Sequence, residues 1–108
     1  MSTIKVRTKV EQQGLLVRIL IDHPMETGRR VDPLTGLRVT ADFIKDFIVL
    51  FRGKVVVEGR FSTGVAKNPY LNLILHEARP GEVLEVRIKD NEGREEAMSY
   101  RIPPHKTD

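Results

Sequence analysis

The sequence predicts an all-β domain, an immunoglobulin-like β-sandwich of about seven strands. Three observations predict it. Apolar and polar residues alternate with period two, turn-forming residues interrupt that alternation at regular spacing, and no segment repeats apolar residues at helical spacing. The chain has no Cys and no Trp, so the cysteine–tryptophan–cysteine pin of antibody domains is excluded.

The elements follow in order. In a first strand Ile4, Val6, Thr8 and Val10 share one face and Lys5, Arg7 and Lys9 the other. Glu11, Gln12, Gln13 and Gly14 supply the turn into a second strand over residues 15–21. Residues 22–42 then break the rhythm. Asp32, Pro33, Leu34, Thr35 and Gly36 form a strong turn signature there, because Pro sets φ and Gly accepts a positive one. The segment reads as a long excursion, with a small hairpin as one form it can take.

Strands over residues 43–51 and 54–61 flank Arg52 and Gly53, and so short a link predicts a tight hairpin. Asn68 and Pro69 close the next loop and open a strand over 70–77. Arg79, Pro80 and Gly81 turn the chain into a strand over 82–90, with Leu84, Val86 and Ile88 inward and Glu85, Arg87 and Lys89 outward. Asn91, Glu92 and Gly93 make the last hairpin, and a strand over 94–102 stops at Pro103 and Pro104, leaving a frayed tail. There are no internal repeats, and residues 1–108 read as one domain.

A chain of 108 residues buries roughly two thirds of its unfolded surface, enough to fold without staples. Its 40% hydrophobic and 31% charged residues fit a soluble globular protein, and no apolar run nears the ~20 residues that cross a bilayer, so no membrane role is expected. The absence of cysteine removes disulfides, thiolate metal sites and covalent thiol chemistry. The N-terminal residues lack the apolar stretch of a signal peptide, so a cytoplasmic location is expected unless the chain leaves the cytoplasm bound to an exported partner. Eighteen basic and 15 acidic residues are interspersed, without the concentrated basic footprint of a nucleic-acid binder.

A monomeric sandwich strand is apolar inward and polar outward. Several strands here exceed that pattern. Phe47, Ile48, Val49, Leu50 and Phe51 are continuously apolar, Val55, Val56 and Val57 repeat this across the hairpin, and Tyr70 and Ile74 point outward if Leu71, Leu73 and Leu75 point inward. Either the 22–42 excursion covers the outer face or that face is a subunit interface. The interface is preferred, because an exposed patch of this size invites aggregation, and it predicts a dimer. Phe47, Val49, Phe51, Tyr70 and Ile74 are its candidate contacts.

Candidates for catalysis are few. His23, His76 and His105 have no ligand spacing, and Asp22, His23 and Glu26, though close, match no metal motif; a loop held by side-chain hydrogen bonds is the simpler account. Ser62, Thr63 and Gly64 lack a nucleophile-elbow context, and the adjacent Glu95 and Glu96 face opposite sides of a strand. No catalytic residue, metal or cofactor is expected, and the chain is not expected to be an enzyme.

Two blocks remain: Asp22, His23, Pro24, Met25, Glu26, Thr27 and Gly28, followed by Phe43 and Ile44; then Lys67, Asn68, Pro69, Tyr70 and Leu71. In these the sequence resembles the SoxZ family, the small subunits of a sulphur-oxidation carrier complex, over nearly the whole chain. The resemblance implies a non-catalytic structural subunit in a heterodimer with a SoxY-type protein, whose cysteine arm carries thiosulphate-derived sulphur between the other Sox enzymes. It also implies a periplasmic location reached on the partner's signal peptide. His23, Pro24, Met25, Glu26, Thr27 and Gly28, with Lys67, Asn68 and Pro69, match the family pattern and are carried over as candidate partner-binding residues. Pro24 stiffens the loop entry, Gly28 permits a tight turn and Met25 offers an adaptable apolar contact. For Glu26, Arg29 and Lys67 two roles stay open, orienting the partner with its sulphur-loaded arm or locking the loop. The isolated chain is expected to form a homodimer through the uncovered face.

Overall fold

A computed structural model describes residues 3–61 and 67–104. Seven strands form: β1 (Thr3–Glu11), β2 (Gly14–Asp22), β3 (Ile44–Phe51), β4 (Lys54–Arg60), β5 (Tyr70–Leu75), β6 (Val83–Asp90) and β7 (Glu95–Arg101). They make two sheets, ordered β1-β2-β5 and β4-β3-β6-β7, with every neighbouring pair antiparallel. No helix occurs among the described residues, and the all-β sandwich is the fold the alternation predicts.

The core lies between the sheets and takes every second residue from each. Val17, Ile19 and Ile21 of β2 face Val49 of β3 and Leu84 and Val86 of β6, all fully buried. The alternation read for β6 is observed, and Leu71, Leu73 and Leu75 of β5 pack on the same core. The Arg52 and Gly53 link is a tight hairpin with both residues at positive φ, +54° and +74°, the twist that suits a two-residue turn. Arg52 is held there by Glu82, donating from Nη2 to Oε1 at 2.9 Å, and its guanidinium lies over the Phe51 ring.

Some strand ends differ from the sequence reading. β5 stops at Leu75 because Glu77 takes φ +65° and turns the chain. β3 starts at Ile44 because the Phe43 N–H donates to the Asn91 side chain at 2.9 Å, outside the ladder.

One correction concerns which side of β3 faces out. Phe47, Val49 and Phe51, expected at a partner surface, are 8%, 0% and 7% exposed and belong to this chain's own core. Register decides it: Phe47 stands in a row with Gly59 and Ile88, and Val49 with Val57 and Val86, on the inner face. Ile48 and Leu50 therefore point outward, beside Arg87 and Glu85. The 22–42 excursion does not cover them, since the grooves over this face are lined by residues of the sheet and its β3–β4 turn.

Candidate functional site

The two sequence blocks, 45 residues apart in the chain, meet at the end of β2. The His23 N–H donates to Asn68 Oδ1 at 3.0 Å, and the Asn68 N–H donates back to the His23 carbonyl at 2.8 Å. Asn68 sits at φ +55°, a conformation Asn tolerates better than most residues with a Cβ. Next to it, the Ile21 N–H donates to the Pro69 carbonyl at 2.9 Å, so the second block prolongs the β2–β5 ladder past the start of β5.

His23 is buried and both of its ring nitrogens are engaged. Nδ1 accepts the Met25 N–H at 3.1 Å, which places the ring proton on Nε2, 3.3 Å from Asp42 Oδ1. Asp42 in turn lies 3.9 Å from the Arg94 guanidinium. The imidazole thus fastens the start of the excursion to its end.

Met25 is buried, at φ +53°, and its sulphur accepts the Ile44 N–H at 3.4 Å. It plugs the rim of the core, so the side chain expected to be an adaptable surface contact is an internal one. Glu26 and Asp42 exchange two backbone hydrogen bonds of 2.8 Å, and the Glu26 carboxylate takes the Arg30 guanidinium at 2.8 and 3.0 Å. Hydrogen bonding from Arg30 holds the Glu26 carboxyl below the usual carboxylate range. At Gly28, φ is +86°, a conformation that favours glycine, and a Cβ there would crowd that of Ala41 at 3.2 Å.

Beyond this lock the excursion forms the small hairpin. Val31 pairs with Arg38, the Asp32 carbonyl accepts the Gly36 N–H at 2.8 Å, and Asp32 Oδ1 accepts the Leu34 N–H at 2.9 Å. Val31, Leu34 and Leu37 on it are 51%, 94% and 69% exposed.

The other candidates are dispersed. Pro24, Arg29 and Lys67 are exposed, Thr27 is half-buried, and Tyr70 and Ile74 point outward from β5. His76 is exposed, with Nδ1 2.8 Å from the Gln13 carbonyl. His105, Ser62, Thr63 and Gly64 lie outside the described residues. Among the described residues no three His, Cys, Asp or Glu side chains converge as metal ligands.

Sequence reasoning missed Asp42 and Asn91. Asn91 accepts the Phe43 N–H through Oδ1 and donates through Nδ2 to the Ala41 carbonyl at 3.3 Å, so it caps the entry to β3. Its turn context was visible in the sequence, but a partner 48 residues away was not. The constellation positions a loop.

The family model described as Sulphur oxidation protein SoxZ matches residues 4–101, which takes in both blocks and all seven strands except the first residue of β1. The comparison with curated proteins finds none that matches the chain.

Proposed function

Since the chain belongs to the SoxZ family and so to the proteins of sulphur oxidation, we propose that it is the non-catalytic structural half of a sulphur carrier. It pairs with a cysteine-bearing SoxY-type subunit in a thiosulphate-oxidising Sox system and presents that subunit to the other Sox enzymes. The family match across residues 4–101 carries this reading. The composition supports the division of labour, because a chain with no cysteine offers no thiolate to hold sulphur. The pair works in the periplasm, where the partner's signal peptide takes it.

Co-expression with a SoxY-type protein from the same organism tests the proposal. A one-to-one complex is expected by size exclusion with light scattering, and after thiosulphate turnover mass spectrometry should find the sulphur adduct on the partner's cysteine and none on this chain. Separate elution of the two proteins overturns the pairing, and an adduct on this chain overturns the structural role.

A further inference from the structure

The two sheets end in four edge strands, and these differ in how they face water. β1 carries Lys5, Arg7 and Lys9, and β7 carries Glu95, Glu96 and Arg101. β4 carries Lys54, Glu58 and Arg60 and is bulged at Val56, which has no partner between Val55 and Val57. Charges and bulges keep an edge from templating another strand. β5 has neither: it is six residues long, uncharged and in unbroken register with β2. In a constant-type immunoglobulin domain a fourth strand lies beside this position; here the corresponding strand pairs with β3 instead.

Register identifies the backbone groups left unpaired among the described residues. Hydrogen-bonded pairs alternate along an antiparallel ladder. The bond from Ile21 to Pro69 therefore assigns Leu71, Leu73 and Leu75 to β2, and the N–H and C=O groups of Tyr70, Asn72 and Ile74 point to the open edge. Leu71 and Leu73 are only half-buried on the core side, so an added strand has apolar surface to cover there.

Charge identifies the occupant. On the outer face of this sheet Arg18 stands beside Asn72, flanked by Arg7, with Lys5 and Lys9 in the adjoining rows. None of these four cations has an ion pair or side-chain hydrogen bond among the described residues, and a groove of about 490 Å³ runs between Lys5, Arg7, Arg18, Tyr70 and Asn72. We propose that the open edge of β5 receives an extended strand of a partner protein, with apolar residues toward the core and acidic residues outward toward Arg18. A second copy of this chain fits worse, because pairing β5 with β5 sets two basic faces side by side. Nucleic acid also fits worse: among the described residues Tyr70 is the one aromatic side chain on the face, whereas single strands are read on stacking platforms. The proposal stands whether or not that partner is the sulphur-carrying subunit.

The test measures amide hydrogen exchange in the full chain with a short blocked peptide alternating valine and glutamate, and with a valine and lysine peptide as control. The glutamate peptide should slow exchange at Tyr70, Asn72 and Ile74 by about tenfold or more and the lysine peptide should not. Asn72→Pro removes an outward N–H without touching the β2 ladder and should abolish the effect. Arg18→Gln, at an exposed position, should weaken peptide binding about tenfold and carries the test if the proline variant does not fold. Several results would overturn the proposal: no protection, equal protection by both peptides, or protection at β4 instead. Protection that grows with concentration of the chain alone would replace the partner by a second copy. Binding of a mixed-sequence single-stranded DNA that leaves peptide protection absent would replace it by nucleic acid.

Discussion

His23 and Asn68 bind each other through three different kinds of group: a backbone donor, a backbone acceptor and a side-chain amide oxygen. The Asn68 side chain satisfies a donor on a buried residue, and its left-handed backbone is what brings the amide into place. These two contributions are separable by substitution. Asn68→Gly keeps the conformation and loses the side-chain bond, for a cost of about 1 kcal/mol. Asn68→Ala loses the bond and also strains the backbone, for about 2 kcal/mol. Urea denaturation of both variants checks the order, and a glycine variant less stable than the alanine one would show that the backbone conformation contributes nothing. The sequence marked His23 and Asn68 as special through their resemblance to a family pattern, but not that they touch. That pairing depends on β2 and β5 being neighbours, a long-range fact that no local spacing contains.

At the scale of the element, β3 and β4 show where sequence patterns stop being informative. β6 alternates cleanly, and its inward face of Leu84, Val86 and Ile88 was legible residue by residue. In β3 every residue from Phe47 to Phe51 is apolar, so period two has no phase and both assignments of the core face fit equally well. Packing breaks the tie. Phe47 needs space on β4, and Gly59 in register with it provides that space: a Cβ on Gly59 would lie 2.9 Å from the edge of the Phe47 ring, which also stacks on Phe61 at 5.0 Å between centroids. Glycine inside a strand here marks a close approach. Gly59→Ala should cost about 1–3 kcal/mol through overpacking. Combining it with Phe47→Leu should cost less than the sum of the two single changes, because the smaller side chain vacates the clash. A double-mutant cycle in urea measures this, and additivity within about 0.5 kcal/mol would show that the ring and the glycine do not compete for the same volume.

At the scale of the whole molecule, the 22–42 excursion divides into a part that belongs to the sandwich and a part that does not. The inner part contributes Met25 to the core, His23 to the lock and the paired Glu26 and Asp42 backbones to the rim. The outer part, residues 31–38, buries little, with Leu34 almost fully exposed and Val31 and Leu37 more than half exposed. Its base is already closed, since the Val39 N–H donates to the Arg30 carbonyl at 2.8 Å. Replacing residues 31–38 by an asparagine–glycine link joins Arg30 to Val39 at the spacing of a two-residue hairpin. Stability should then change by no more than about 0.5 kcal/mol, whatever becomes of partner binding, because the removed side chains rest on no core. Equilibrium urea unfolding of the shortened chain decides it. A loss of about 2 kcal/mol or more would mean that the projecting hairpin supports the sandwich after all, and that its exposed leucines contribute to the fold of this chain itself.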